Sequence, residues 1–205
     1  MLKIDFHTHP LAHKHYPDIV PCAKLDEHDK RAVEAMIQWG ISRGLDGIAI
    51  TDHNQFTSGL YGKDYAAKKG LPIKVMAGAE MSVMIGRTEI HILALGVREA
   101  FAFDPYADVN YLIDSIHMAG GIAVMSHPHY YDERVFGRLR DSLDGVEVYN
   151  GVAAELGYPF HVPPDYAGLQ FKNSDYHGDR FALATQLAGY TEVDENNRTI
   201  MRRFW

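Results

Sequence analysis

Twelve histidines stand in this chain against a single cysteine, and several occupy patterns that could hold a metal ion. In the run Asp5-Phe6-His7-Thr8-His9, alternate side chains of an extended chain point the same way, so His7 and His9 project together. Two imidazoles on one face make half a metal site. Similar junctions, where an apolar run gives way to ligand-type residues, recur at Ile50-Thr51-Asp52-His53, Gly78-Ala79-Glu80, Met125-Ser126-His127-Pro128-His129 and Asn173-Ser174-Asp175-Tyr176-His177. Because Cys22 stands alone, disulfides and multi-thiolate zinc sites are excluded, and any metal must be held by imidazole and carboxylate. Zn2+, Mn2+ and Fe2+ all accept that donor set, which does not choose among them.

The elements that must position these residues are legible as apolar runs of strand length at 3–6, 47–51, 73–79, 90–95, 121–126, 145–149 and 169–173. Helical spacing appears at 26–43, where Ala32, Met36, Ile37 and Trp39 share roughly one side, and at 108–119. Gly44 and Gly120 follow these stretches as C-terminal stops. Strand-helix alternation implies parallel strands with right-handed crossovers, hence an α/β barrel or an open α/β sheet. The barrel is favoured because the ligand-type residues fall at the C-terminal strand ends, where parallel barrels gather catalytic groups. The stretch 81–95 breaks the alternation, since only Ile85-Gly86-Arg87-Thr88 separates two extended runs, so one strand runs antiparallel. A turn centred on Gly86-Arg87 sets Glu80 opposite Leu93 and His91 opposite Ser82, which brings Glu80 and His91 near each other.

The chain has 205 residues, 46% hydrophobic and 23% charged, without a repeat or a Pro/Gly/Ser-rich linker, and reads as one domain over 1–205. It starts without an apolar leader, and no run approaches the roughly 18 apolar residues of a membrane span, which points to the cytoplasm. A net charge of -7 without a long Lys/Arg cluster argues against gripping many backbone phosphates, so a small substrate is expected and nucleic acid only as a substrate.

Taken in order, D-F-H-T-H at 5–9, T-D-H-N at 51–54, G-A-E at 78–80, E-I-H at 89–91, S-H-P at 126–128, G-V-E-V-Y-N at 145–150 and S-D-Y-H-G at 174–178 resemble the PHP superfamily, the polymerase and histidinol phosphatase metal-dependent hydrolases. That resemblance implies a distorted seven-stranded (β/α) barrel with two or three divalent ions at its C-terminal mouth. One ion would be held by His7, His9, Glu80 and Asp175, and Glu80 would bridge to a second bound by His91 and His127. A third would use His53, His177 and a residue after the first motif, with His15 best spaced and His13 and Asp18 as competitors.

Two divalent ions carry four positive charges against the two carboxylates Glu80 and Asp175, leaving a cationic mouth that would attract anions and stabilise a phosphoryl transition state. The expected activity is hydrolysis of a small phosphomonoester by a metal-activated water, without a side-chain nucleophile. The alternatives are a nuclease or phosphodiesterase with the same metal set, and a metal-binding module without catalysis. Only 35 residues separate His91 from His127, too few for the additional substrate-binding domain of some relatives, which favours small substrates. Arg87 and Arg180 are candidate phosphate clamps, or ordinary exposed arginines near turns. His129, two residues from His127, could protonate a leaving group or border the substrate. Asp52 could orient an imidazole or cap a strand end, and Glu147, inside a strand, is expected to support ligands or satisfy a buried hydrogen bond rather than act directly. Tyr16, Tyr130, Tyr131 and Tyr176 adjoin the ligand motifs and could stack on a ring. His28, His117 and His161 match no site, Cys22 is expected to pack as a small residue, and the sequence leaves the oligomeric state open.

Overall fold

The computed structural model describes residues 1–14, 19–158, 161–178 and 189–193, so His15, Tyr16, Asp18 and Arg180 lie outside the described residues. All seven expected strands form: β1 (Leu2–Thr8), β2 (Gly47–Ile50), β3 (Lys74–Ile85), β4 (Thr88–Leu95), β5 (Ile122–Met125), β6 (Gly145–Asn150) and β7 (Leu169–Asn173). They lie side by side in chain order, and a short β8 (Thr191–Val193) that the apolar runs do not announce pairs antiparallel with β1. Neighbours are parallel except around β4, which runs antiparallel to both β3 and β5. The hairpin register is the expected one, Glu80 pairing with Leu93 and Ser82 with His91. One boundary differs from the sequence reading: β3 does not end before Glu80 but continues through it to Ile85, because the hairpin ladder carries the chain onward.

The sheet curls until its ends approach. At the mouth, Thr8 bridges to Tyr176 in parallel and His9 N donates to Tyr176 O at 2.8 Å. Lower down, Phe6 N donates to Asn173 Oδ1 at 3.0 Å, and Lys172 exchanges hydrogen bonds with the Thr191 hydroxyl. The result is a nearly closed, mixed barrel.

Helices α1 (Glu27–Ser42), α2 (Thr57–Lys69), α3 (Val109–Met118), α4 (Glu133–Leu139) and α5 (Gly151–Glu155) connect the strands. Helix α1 starts at a capping box, Asp26 accepting from Asp29 N while the Asp29 carboxylate accepts from Asp26 N, and Gly44 just beyond its end has φ 70°. Its apolar side, with Val33, Met36 and Ile37, covers Ile48 and Ile50 on the outer face of β2. Helix α2 packs so closely that a Cβ on Gly59 would stand 2.9 Å from Gly78 N and Ile50 O. Inside the barrel, Phe6, Met76, Leu93, Leu95, Val124 and Phe171 form an apolar plug contributed by strands alone. Burial of each such side chain contributes roughly 1.5–3 kcal/mol. The plug fills the floor, and what remains above it is polar.

Candidate metal centre

Two irregularities in the strands aim the polar residues. Between Asp5 and Thr8 of β1 the partner β2 advances only from Ile48 to Ile50, so β1 carries one extra residue. Such a bulge lets consecutive residues share a face. Phe6 joins the apolar plug, while His7 beside it meets Glu80 and Glu147. In β6, Glu147 and Tyr149 pair with the successive residues Phe171 and Lys172 of β7, a second bulge that lets both Glu147 and Asn150 reach Asp175 and its surroundings.

Glu80 is the hub, 1% exposed. Its Oε2 lies 3.3 Å from His7 Nε2, 3.3 Å from His9 Nε2 and 3.2 Å from His53 Nδ1. Its Oε1 lies 3.2 Å from His91 Nδ1 and 2.8 Å from His127 Nε2, which are themselves 3.4 Å apart. Asp175 Oδ1 faces His7 Nε2 at 3.3 Å and His9 Nε2 at 3.2 Å. His177 stands at the edge, its Nδ1 2.6 Å from the Asp175 carbonyl and its ring 4.3 Å from that of His9. Potential ligand atoms come together in three groups: His7, His9 and Asp175; His53, Glu80 and His91; and His9, His53 and His177. With His127 on Glu80 Oε1, the structure thus brings together His7, His9, His53, Glu80, His91, His127, Asp175 and His177, His9 and His53 each belonging to two of the groups.

These residues fit a bound cation. His7 Nε2, both ring nitrogens of His9 and Asp175 Oδ1 are buried, and among the described residues none has a partner aligned for a hydrogen bond. Buried polar atoms are rarely left so. Donor atoms around a tetrahedral ion at 2.0–2.2 Å stand about 3.3–3.6 Å from one another, close to the spacings seen here. Two oxygens of one carboxylate, each facing its own set of imidazoles, are suited to joining two such ions.

The electrostatics of the bare cluster show what a cation would replace. Burial opposes protonation of His7, His9 and His91, but the carboxylates outweigh it, chiefly Asp175 at His7, Asp175 with Glu80 at His9, and Glu80 at His91. The pKa of His7 is held well above its ordinary value, that of His9 is pushed up to about 9 and that of His91 to about 10. Burial would lift Glu80 and Asp175, yet His7 and the neighbouring imidazoles pull both carboxyls well below the usual range. Burial holds His53 down at about 3 and His177 at about 4, the neutral form that ligates metals. Protons on His7, His9 and His91 occupy places that metal charge would take.

A layer of supporting residues fixes the rings. The His7 ring donates from Nδ1 to Glu147 Oε1 at 2.8 Å, which turns its Nε2 toward Glu80 and Asp175. Glu147 also accepts from Asn173 Nδ2, His127 N and Asn150 Nδ2 at 2.7, 2.6 and 3.0 Å, while the Asn150 amide reaches Asp175 Oδ2 at 3.2 Å. Burial raises the Glu147 carboxyl, but His7 more than offsets it and the net shift is downward. Sequence reasoning anticipated the supporting role of Glu147 and missed Asn150 and Asn173. The available signal was an asparagine closing each of two neighbouring strands. Below them, Asp5 accepts from Ser174 N and His7 N and is contacted by the Ser174 hydroxyl, and burial pushes its carboxyl up to about 7.

Backbone strain gathers in the same place. Among the described residues the non-glycine positions with positive φ are Asn54 at 56°, His127 at 26° and Asp175 at 57°, each at the end of a strand that feeds the cluster. Such conformations cost roughly 1–3 kcal/mol apiece and persist where surrounding contacts hold them. Asn54 is held by Ser82, whose N donates to its Oδ1 at 2.8 Å.

Other sequence candidates fall elsewhere. A cavity of about 480 Å3 opens over the cluster, lined by Glu80, Glu89, His91, His127, Tyr130, Tyr131 and Asp175 among others, but not by His129. The chain leaves the extended conformation at His127 and enters a short 3-10 turn, Pro128–Tyr130, so the i+2 relation of the strand does not hold. Asp52 Oδ1 accepts Leu11 N at 2.7 Å, the capping geometry, and burial raises its carboxyl to about 6. Arg87 is exposed at the hairpin tip. Nor does Cys22 pack, as expected of it; it is exposed in a turn after Pro21. His117 pairs with Asp144 at 2.7 Å beside the starts of β5 and β6, the ends away from the mouth, and His13 lies 3.4 Å from Asp29 Oδ1.

A nearly closed β/α barrel carrying a histidine and carboxylate cluster at its mouth defines a class of metal-binding proteins. The PHP domain profile matches residues 27–184, and the chain belongs to that family. It is 32% identical over 110 residues to the uncharacterized protein MJ1587 of Methanocaldococcus jannaschii, a match over 53% of this chain that spans 60% of the relative's length. Among solved structures it is similar to an amidohydrolase of Chromobacterium violaceum, with bound sulfate and no metal, at 17% identity and TM-score 0.62 over 98% of this chain and 96% of the other. A candidate metal-dependent phosphoesterase of Bifidobacterium adolescentis is similar at 15% identity and TM-score 0.62, with the same coverage of 98% and 96%. At these identities the two likenesses establish the fold. Among the described residues no helix is long and apolar enough to cross a membrane.

Proposed function

We propose that the protein is a metal-dependent hydrolase of phosphate esters, acting most readily on small phosphomonoesters. The observation that carries this reading is the convergence of five imidazoles, those of His7, His9, His53, His91 and His127, on the two oxygens of Glu80. Membership of the PHP family and the neighbouring phosphoesterase fold support it.

Divalent ions bound at the mouth would supply Lewis-acid charge and lower the pKa of water near the substrate. His7, His9, Glu80 and Asp175 would hold one of them, and Glu80 with His91 and His127 another. His53 and His177 are left for a third, with His15 as the proposed further ligand. The protein's own part is placement. Glu147 keeps the proton of His7 on Nδ1, Asn150 ties Glu147 to Asp175, and Glu89, 3.3 Å from His91 Nε2, does for His91 what Glu147 does for His7. Among the described residues the cavity lining includes no lysine or arginine but three carboxylates, Glu80, Glu89 and Asp175. The protonated His7, His9 and His91 do no more than offset these carboxylates in a bare site, so the positive charge that would draw in a phosphorylated substrate has to come from bound cations. Arg180 is proposed as the residue that adds a guanidinium to this set, with Asp52 bracing the loop after β1 and His129 serving substrates that reach beyond the cavity.

Elemental analysis of the purified protein, followed by turnover of p-nitrophenyl phosphate against bis-p-nitrophenyl phosphate with added Mn2+ or Zn2+, tests the reading. Preference for the diester would shift it to a phosphodiesterase or nuclease. Occupied metal without turnover of either ester would reduce it to a metal-binding module.

A further inference from the structure

The hydroxyl of Tyr131 sits between two metal-ligand candidates. It accepts the backbone N–H of His91 at 3.0 Å and lies 3.2 Å from His127 Nδ1. Tyr131 also lines the cavity over the cluster, on the same wall as Tyr130. The other nitrogen of His127, Nε2, is 2.8 Å from Glu80 Oε1 and is the atom that an ion shared with Glu80 would meet.

A neutral imidazole has one proton for two nitrogens. In the tautomer with that proton on Nε2, facing Glu80, Nδ1 accepts the Tyr131 O–H and the hydroxyl hydrogen stays inside the protein. With an ion held at Nε2 the His127 proton would sit on Nδ1 and point at Tyr131 Oη. The phenol oxygen would then receive two N–H donors, from His91 and His127, and its own hydrogen, left no place between them, would turn toward the cavity. We propose that Tyr131, directed by the tautomer of His127, presents its hydroxyl hydrogen to an oxygen of the bound phosphoryl group. The inference rests on the reading of the site as a metal-dependent phosphoesterase and adds a donor where, among the described residues, the lining offers no arginine or lysine.

The test compares wild type with Tyr131→Phe, both loaded with Zn2+, by calorimetric titration with inorganic phosphate, with zinc content measured on the same samples. A hydrogen bond to a charged group is worth about 1.5–3 kcal/mol, so the variant should hold zinc at the wild-type ratio and bind phosphate roughly tenfold or more weakly. Equal phosphate affinity in a fully loaded variant would show that Tyr131 only braces its neighbours, and would overturn the inference. Should the variant lose zinc, 15N-histidine NMR of the wild type decides: His127 Nδ1 must be protonated in the zinc-loaded protein, and a bare Nδ1 there refutes the mechanism. A wild type that binds phosphate but cleaves no ester would sink the proposed activity while the affinity ratio still judged Tyr131. A loaded wild type that binds no phosphate would remove both.

Discussion

Replacing Glu147 with glutamine tests whether the buried layer beneath the cluster sets the metal site. Four N–H donors point at this carboxylate: His7 Nδ1 and Asn173 Nδ2 at Oε1, His127 N and Asn150 Nδ2 at Oε2. Glutamine offers one oxygen and an NH2 group, so two of the four contacts become donor against donor. Hydrogen bonds to a charged group are worth about 1.5–3 kcal/mol each, and losing two places the cost to stability at roughly 3–6 kcal/mol. If the NH2 faces His7, the ring must accept at Nδ1 and carry its proton on Nε2, the atom that faces Glu80 and Asp175 at 3.3 Å. Loss of such a supporting partner typically weakens metal binding 10–100-fold, on the order of one to three kcal/mol. Zinc affinity measured in competition with a chromophoric chelator, together with urea unfolding of the metal-free protein, reads both effects. A Glu147→Gln protein with wild-type zinc affinity and an unchanged urea midpoint would refute the reasoning.

Three further predictions follow from the same geometry. The double variant His7→Ala/His9→Ala should lose bound metal and any phosphatase turnover while retaining the barrel, because the apolar plug below does not involve these rings; unchanged metal content by elemental analysis contradicts the assignment. Asp5, raised from 3.8 to about 7 by burial, keeps its proton in the folded state over a range where the unfolded chain has lost it. Stability therefore falls as pH climbs from about 4 to about 7. In the metal-free protein Asp5→Asn should match wild type near pH 4 and exceed it by about 3–5 kcal/mol at pH 8, and a urea-unfolding difference that does not change with pH would end this account. Gly59→Ala should destabilise by about 1–3 kcal/mol despite the better helix propensity of alanine, since the new Cβ meets backbone of β2 and β3 at 2.9 Å; an unaltered or raised melting temperature would show that α2 can shift freely.

Much of the site could be read from the chain because its signals are local. The alternation that aims His7 and His9 together spans three residues, and the Gly86-Arg87 turn sets which residue of β4 faces Glu80, since a hairpin's register is determined by its loop. Capping signals around α1 are equally short in range. Strand alternation with ligand-type residues at strand ends pointed to the barrel and to most of the residues that meet at its mouth, though it also nominated His129, which does not line the cavity.

The tertiary structure decided what depends on pairing across the barrel. The bulges in β1 and β6 arise from how those strands align with β2 and β7, and no spacing within β1 announces that Phe6 and His7 share a face. That Glu80 divides its two oxygens between separate sets of imidazoles depends on five strands, β1 to β5, bringing their residues to one place at once. His129 left the cavity and Tyr131 entered it because His127 adopts positive φ and the chain coils into a 3-10 turn, a conformation held by surrounding contacts rather than by the residues themselves. Local preference selects the elements and their faces, whereas a shared carboxylate is a property of the closed barrel, where free energy depends on groups far apart in the chain reaching one another.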